Sequence, residues 1–218
     1  MTCVSPSEGY RLWAETWDST PSPIAALEDR ALRPWIETLK PCRVVDVGCG
    51  TGRWTARLPA IGVDISPAML GVAAHKPGLR GRLAVGDAAA LPVASESADL
   101  VLCALTFGHI RDQAGALREF ARVLRPGGTL LLTDFHPDAA ARGWRRTFRR
   151  DRQVYELENH PYTLVDLREM ARGLALVNVA AAYIGESERE LFHRAGRPEL
   201  FEPARRMPAV LLTRWVRA

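Results

Sequence analysis

The segment Val44-Val45-Asp46-Val47-Gly48-Cys49-Gly50-Thr51-Gly52 decides the fold class of this 218-residue chain. It begins with a short apolar run, predicted as a strand over 42–47, and continues with three alternating glycines. Glycine lets the backbone turn sharply and lets a ligand approach closely. A helix is expected to begin near Thr51, and a helix N-terminus offers free N–H groups and positive potential. The segment therefore predicts a strand, a ligand-binding turn and a helix.

Short apolar strands alternate with helical patterns on both sides of this turn. Helices are predicted over 8–17, 23–39, 112–124 and 163–173, and further strands over 60–64, 82–85, 99–105, 129–134, 175–184 and 209–216. This alternation is typical of a parallel α/β sheet. The last two strands are separated by too few residues for a crossover helix, so a reversed, hairpin-like last strand is expected.

Composition limits the class of protein. With 218 residues and 47% hydrophobic content, one domain over 1–218 is expected. No apolar run approaches ~20 residues and the start, MTCVSPSEGY, lacks a signal pattern, so we expect a cytoplasmic protein with no membrane association. The four cysteines form no CxxC pair, and no metal is predicted. A net charge of +4 is too small to indicate a nucleic-acid partner.

Two acidic residues follow the strands next to the glycine turn. Asp64 closes the strand 60–64, where a carboxylate can accept both hydroxyls of a ribose. Asp87 follows the strand 82–85, and it can accept a hydrogen bond from an adenine amino group. The alternatives are structural: a tight strand–helix turn for the glycines, a helix cap for Asp64 and a loop cap for Asp87.

Five segments, in order along the chain, carry a resemblance to a known family. They are VVDVGCGTG at 44–52, VDIS at 63–66, GDAAALP at 86–92, ADLVLCALTFGHI at 98–110 and RVLRPGGTLLLTDF at 122–135. With these motifs the chain resembles the class I S-adenosylmethionine-dependent methyltransferases, especially the small-molecule branch that includes ubiquinone/menaquinone-type enzymes. The resemblance covers residues 8–135 closely and 163–218 in strand pattern only.

The resemblance implies an α/β, Rossmann-like, seven-stranded sheet of order 3-2-1-4-5-7-6, with strand 7 antiparallel and helices on both faces. It also implies S-adenosyl-L-methionine as the cofactor. The residues implied to bind it are Asp46 in the glycine motif, Gly48 and Gly50 at the methionine part, Asp64 on the ribose, Ile65 and Ala88 against adenine, Asp87 on the adenine amino group, and the carbonyls of Ala104 and Leu105 on the methionyl ammonium.

The N-terminal region, 1–40, resembles the helical lid of the same family. In that interpretation Tyr10 and Trp13 cover the cofactor. The alternative is that Tyr10, Trp13 and Trp17 form an apolar helical stripe that packs on the core. The sequence leaves both interpretations open.

Two histidines are candidates for a catalytic general base. His109 follows the fourth strand and His136 follows the fifth, so both lie at carboxyl ends of strands, beside the expected crevice. An unperturbed histidine titrates near neutrality and can accept a proton from the acceptor. The alternative for His109 is a structural role, because the family often has a histidine at this position.

Residues 135–162 replace a short connection with a long one, and we predict a substrate lid there. Positions 142–152 contain six arginines and one aspartate, and aromatic residues are interspersed. One interpretation is a lid over an aromatic acceptor, neutral or anionic. The other is a solvated basic helix held by Trp144 and Phe148 at helical spacing. A mixture is expected, with the aromatic rings inward and most arginines outward.

Methyl transfer to a small, aromatic or heterocyclic molecule is the predicted function, carried out by a monomer or homodimer. An RNA methyltransferase is a weaker alternative, because the fourth strand ends in Leu105-Thr106-Phe107-Gly108 and lacks the Asn/Asp-Pro-Pro-aromatic motif that holds a flipped base. The G-x-G-x-G spacing disfavours an NAD-dependent oxidoreductase. A protein that binds the cofactor without turnover stays open.

Overall fold

Ten β-strands and eight α-helices make up residues 1–218 in a computed structural model. The strands are β1 (Thr2–Val4), β2 (Val44–Val47), β3 (Ala60–Asp64), β4 (Leu83–Val85), β5 (Ala98–Ala104), β6 (Leu124–Phe135), β7 (Thr147–Arg150), β8 (Gln153–Leu157), β9 (Leu174–Tyr183) and β10 (Pro208–Arg217). The helices are α1 (Pro6–Trp17), α2 (Pro23–Leu39), α3 (Pro67–Ala73), α4 (Gln113–Val123), α5 (Pro137–Ala141), α6 (Leu164–Met170), α7 (Arg189–Arg194) and α8 (Phe201–Arg205). None of these helices combines the length and the apolar character needed to cross a bilayer.

Seven strands form the central sheet in the order β4-β3-β2-β5-β6-β10-β9. The first five run parallel, and β10 runs antiparallel to both of its neighbours. Counted along the chain within this sheet, the order is 3-2-1-4-5-7-6 with strand 7 reversed, which confirms the prediction. Residues 184–207 connect β9 to β10 through short helical segments, and the antiparallel pairing of these two strands confirms the expected hairpin-like return.

Helices cover both faces of this sheet, as predicted. Successive residues of a strand point to opposite faces, so each central strand supplies two hydrophobic cores. Val101 belongs to the core that includes Phe120 of α4, whereas its neighbour Leu100 belongs to the core that includes Leu32 of α2. The strands are apolar on both faces for this reason, and their sequences read as continuous apolar runs.

Capping residues fix the starts of the helices near the sheet. Ser66 accepts a hydrogen bond from the Met69 N–H, and Pro67 occupies the first helical position of α3. Thr163 and Asp166 form a capping box at the start of α6, where the helix over 163–173 was predicted to begin.

The helix predicted to begin near Thr51 is absent, and residues 51–59 form a series of turns. The guanidinium of Arg82 ties these turns to β3, because it donates to the carbonyls of Thr55 and Leu58 in the turns and of Ala60 in β3. The expectation of a helix N-terminus beside the glycine turn was therefore wrong.

The segment 135–162 contains a β-hairpin in place of the basic helix that was one of its two interpretations. Strands β7 and β8 pair antiparallel, and β1 adds to β8 in parallel, with Thr2 opposite Tyr155. Phe148 is buried between the exposed Thr147 and Arg149, a period of two that belongs to a strand. Trp144 precedes the hairpin, so it does not share a helix with Phe148.

Candidate active site

A cavity of about 1030 Å³ opens at the carboxyl ends of the parallel strands. Its walls come from the turns after β2, β3, β4 and β5, from Phe135 at the end of β6, from α1 and from the segment before β7. The carboxyl ends of parallel strands are the usual place for a ligand in an open α/β sheet. All eleven residues predicted to bind the cofactor line this cavity: Tyr10, Trp13, Asp46, Gly48, Gly50, Asp64, Ile65, Asp87, Ala88, Ala104 and Leu105.

The glycine turn brings the ends of β2, β3 and β5 together. Gly48 has a φ of +68°, and a Cβ there would lie 2.1 Å from Thr106 Cγ2, so both the backbone conformation and the space require glycine. The Thr106 hydroxyl donates to the carbonyls of Gly48 and Ala104 at 3.2 and 3.1 Å. Gly50 also has a positive φ, +56°. These contacts form one continuous wall at the predicted methionine site.

Asp64 joins this wall to the end of β3. Its Oδ2 accepts from the Gly50 N–H at 2.7 Å, and its Oδ1 accepts from the Ser66 N–H at 2.8 Å. Burial raises the pKa of Asp64, and the backbone N–H groups of Ser66 and Gly50 oppose that rise. Each carboxylate oxygen retains a free lone pair, so ribose hydroxyls could still donate to both.

Replacing Asp64 with alanine is expected to weaken S-adenosylmethionine binding by ~1–3 kcal/mol, because donors of the ligand and of the turn lose their acceptor. Calorimetry on the folded variant measures this change. Ser66→Ala is the matched control: it removes the cap of α3, where Ser66 Oγ accepts from the Met69 N–H, and leaves the carboxylate in place. Equal affinity of Asp64→Ala and wild type would mean that Asp64 is a structural cap alone.

Asp46 lies at the base of the same wall and is almost fully buried. Its Oδ2 accepts from the Thr55 hydroxyl at 2.6 Å. Burial raises the pKa of Asp46 from 3.8 to about 6, against the opposing effect of the Thr55 hydroxyl. Because the folded pKa lies above the unfolded one, the folded chain holds this proton more strongly between pH 4 and 6.

Asp46→Asn is expected to stabilise the protein at pH 7.5 by about 1–2 kcal/mol and to give almost no gain near pH 4. The favourable contribution of protonated Asp46 is present below pH 3.8 and is lost as the pH rises through about 6, whereas asparagine stays neutral throughout. Urea unfolding at both pH values measures the two gains. The same gain in stability at both pH values would contradict a raised pKa of Asp46 in the folded protein.

The predicted adenine side is formed by the ends of β3 and β4. Ile65 is half exposed at the cavity wall, and Ala88 packs against the edge of a hydrophobic core. Asp87 Oδ1 accepts from the Ala89 N–H at 2.9 Å, a loop cap that leaves Oδ2 available to a ligand. The cap and the adenine role are therefore compatible.

At the end of β5, a charged donor occupies one of the two carbonyls predicted to bind the methionyl ammonium. Leu105 has a φ of +55°, and its carbonyl accepts a hydrogen bond from Nη1 of Arg146. A guanidinium on this carbonyl would repel the methionyl ammonium predicted to bind there. Arg146 and the ammonium would therefore compete for the Leu105 carbonyl, whereas the Ala104 carbonyl carries no charged donor, and both ammonium roles stay predictions.

Tyr10 and Trp13 lie over the cavity and outside the two cores of the sheet. The Tyr10 ring packs edge-on against His109 with centroids 5.6 Å apart. The Trp13 ring stacks on Phe148 of β7 at 4.7 Å. Burial raises the pKa of Tyr10, and the nearby Arg146 guanidinium opposes that rise. This arrangement favours the lid interpretation over a stripe that packs on the core.

One ring nitrogen of His109 has no hydrogen-bond partner. Its Nδ1 lies 2.9 Å from the carbonyl oxygen of Glu158. A carbonyl can only accept, so Nδ1 carries the proton and Nε2 keeps its lone pair. Nε2 is buried and has no hydrogen-bond partner. Burial, aided by the positive charge of Arg146, lowers the pKa of His109 to about 4, so the ring is neutral at physiological pH.

His136, the other predicted base, does not line the cavity. It is the N-cap of α5, and its Nδ1 accepts from the Asp138 N–H at 3.2 Å. Burial lowers its pKa, and Asp138 opposes that shift. The helix cap and the position outside the cavity favour a structural role for His136, and its catalytic role stays a prediction.

Sequence reasoning missed a buried ion pair between Arg146 and Asp134. The Arg146 Nη2 donates to Asp134 Oδ1 at 2.6 Å, and Asp134 Oδ2 accepts from the Gly108 N–H at 2.5 Å. The guanidinium also lies 4.8 Å from the centre of the Phe135 ring. Arg146 lines the cavity and is one of six arginines within 142–152, where no sequence signal distinguishes the one that is largely buried.

The fold and the cavity define an α/β protein that binds an adenosine-type cofactor at its glycine turn. A family model described as a methyltransferase domain matches residues 45–132. The chain is 31% identical over 205 residues to malonyl-[acyl-carrier protein] O-methyltransferase 1 of Coxiella burnetii, covering 90% of this chain and 67% of that enzyme. It is 39% identical over 110 residues to the demethylmenaquinone methyltransferase of Deinococcus radiodurans, covering 46% of this chain and 46% of that enzyme. A solved S-adenosylmethionine-dependent methyltransferase from Mesorhizobium loti matches with a TM-score of 0.64 at 25% identity, covering 88% of this chain and 100% of that one.

The chain belongs to the class I S-adenosylmethionine-dependent methyltransferases of the small-molecule type. S-adenosylmethionine is the cofactor of this family, and the residues present fit it: a carboxylate at the end of β3, apolar contacts for adenine and a glycine wall for the methionine part. The chain spans about half the length of the Deinococcus enzyme, and the two relatives are named for different acceptors.

Proposed function

We propose that this protein transfers a methyl group from S-adenosylmethionine to a small aromatic or heterocyclic acceptor bound under α1 and the segment 135–162. The observation that carries the proposal is the neutral His109 ring, whose unprotonated Nε2 has no partner within the protein. Aromatic side chains around it favour a flat acceptor, among them Tyr10 and Phe135.

The chain's own residues have three tasks in this reaction. When bound, the cofactor supplies a methyl group on a cationic sulfur that is already activated for displacement. Asp64 and the glycine turn hold the donor, and the lid residues Tyr10 and Trp13 exclude water and align the acceptor. His109 Nε2 accepts the proton that the acceptor O–H or N–H loses. The electron pair left on that oxygen or nitrogen forms the new bond to the methyl carbon.

A second candidate acceptor is a carboxylate. Arg146 is a buried cation on the cavity wall, and its guanidinium has donors beyond those used by Asp134 and Leu105. The Coxiella relative is named for O-methylation of a malonyl group, whose acceptor oxygen is a carboxylate. A carboxylate is ionised at neutral pH, so this reaction needs no base.

A hydroxybenzoate distinguishes the two candidates, because it has both a phenol and a carboxylate. We expect at least one of the three positional isomers to give the methyl ether with labelled cofactor, detected by mass spectrometry and stable to alkaline hydrolysis. An alkali-labile methyl ester would favour the carboxylate candidate. Cofactor binding with no product from any phenol, carboxylic acid or aromatic amine tried would favour a binding protein without turnover.

We also propose that the basic segment does not bind a nucleic-acid acceptor. Three of its six arginines are engaged within the protein. Arg146 pairs with Asp134, Arg145 lies 3.5 Å from Glu156, and Arg150 donates to the Leu12 carbonyl. The remaining three are too few to form the continuous basic surface typical of such binding.

A further inference from the structure

We propose that residues 157–160, called here the strap, position His109 as a base and make the N-terminal strand β1 part of that positioning. The inference rests on the proposed function, because it takes His109 as the group that accepts the proton. Two hydrogen bonds made by the backbone of Glu158 support it. The Glu158 N–H donates to the Val4 carbonyl at 2.9 Å, and the Glu158 carbonyl accepts from His109 Nδ1 at 2.9 Å.

The strap also holds the backbone around His109. The His160 N–H donates to the Gly108 carbonyl at 2.6 Å, and Gln113 Nε2 donates to the His160 carbonyl at 2.8 Å. A Cβ on Gly108 would lie 2.4 Å from Asn159 Oδ1, so the two segments touch closely. The histidine is therefore fixed by the strap through its ring and through its backbone.

The lid helix contacts the same strap through a glycine. Gly9 in α1 is buried, and a Cβ there would lie 2.0 Å from Leu157 Cδ2 and 3.1 Å from Val4 Cγ2. The next residue, Tyr10, packs its ring against His109. The strap and α1 thus both hold His109. They can approach each other this closely because glycine has no side chain at position 9.

The tautomer of His109 is the chemical consequence of this arrangement. With the Glu158 carbonyl in place, the proton stays on Nδ1 and Nε2 can accept another proton. Without that carbonyl, the proton can move to Nε2, and that form cannot act as the base. The charged and titratable groups that face the ring are Tyr10 of α1, Asp134 of β6, Arg146 before β7 and His160 of the strap.

Gly9→Ala tests the proposal by pushing Leu157 away from α1. Nitrogen-15 NMR of His109 in the complex with S-adenosylhomocysteine reports the tautomer directly. In the wild type we expect a protonated Nδ1 and a bare Nε2. In Gly9→Ala we expect a mixture of tautomers and a fall in kcat of roughly 10–100-fold on the hydroxybenzoate that the wild type methylates, with cofactor affinity unchanged.

Gly71→Ala in α3 is the matched control, because a Cβ there meets nothing within 4 Å. If Gly9→Ala does not fold, deletion of residues 1–4 removes the Val4 carbonyl and leaves α1 intact. A proton on Nε2 in the wild type, or an unchanged tautomer in the variant that folds, would overturn the positioning role. A changed tautomer with unchanged kcat would instead overturn His109 as the base and leave the proposed methyl transfer to an aromatic acceptor standing.

Discussion

His109→Ala is expected to lower kcat by about 10²–10⁴-fold on a phenolic acceptor, because it removes the group proposed to accept the proton. Cofactor affinity should stay nearly unchanged, since His109 is not among the residues predicted to bind the cofactor. Rates from steady-state kinetics and affinities from calorimetry separate the two effects. His136→Ala is the matched control, because His136 caps α5 outside the cavity.

The pH profile of the wild type provides an independent check. Because the pKa of His109 is lowered from 6.5 to about 4, the base stays unprotonated well below neutrality. The rate should therefore be sustained down to about pH 5 and fall as the pH approaches 4, provided that the protein stays folded. Wild-type turnover in His109→Ala would exclude the base role and leave catalysis to alignment of donor and acceptor.

Arg146→Met is expected to destabilise the protein by about 3–5 kcal/mol, because Asp134 would remain as a buried charge without its partner. The double variant Arg146→Met/Asp134→Asn removes both charges and should recover much of that loss. Urea unfolding of the three proteins measures the free energies. Arg145→Met is the matched control: this neighbouring arginine is half exposed, and its ion pair with Glu156 contributes at most about 1 kcal/mol.

The recovery in the double variant is the decisive comparison. If Asp134→Asn restores nothing, the guanidinium stabilises the protein through its contacts with the Leu105 carbonyl and the Phe135 ring, and the pair with Asp134 contributes little. The double variant could also regain stability and lose only the methylation of carboxylates. Arg146 would then recognise the acceptor, and the carboxylate candidate would gain support.

The central sheet was predictable from sequence because its signals are local. Runs such as 98–104 are apolar on both faces, and glycine directly follows β2 and β4, so strand type and order follow from patterns within a few residues. The gathering of the predicted cofactor residues at one edge was predictable for the same reason: Gly48 and Asp87 follow strands, Asp64 ends one, and parallel strands bring such positions together.

The acceptor side was not predictable because its contacts are distant in sequence. The pairing of β1 with β8 joins Thr2 to Tyr155, and no composition signal in Thr2–Val4 indicates a partner there. The buried Arg146 resembles its exposed neighbours, and its burial depends on Asp134 in another strand. Likewise, His136 has the same strand-end position as His109, and only the tertiary structure places it outside the cavity.

The parallel pairing of β1 with β8 has a consequence for how the protein folds. Thr2 is synthesised well before Tyr155, so β1 has no partner strand until β8 exists. Closing so long a loop costs entropy that only the finished hairpin can offset, so the small sheet should form after strands β2 to β6 have paired. During biosynthesis the cofactor wall at the ends of β2 to β5 would then exist before the acceptor wall, and the pairing of β1 with β8 would be the step that encloses the active site.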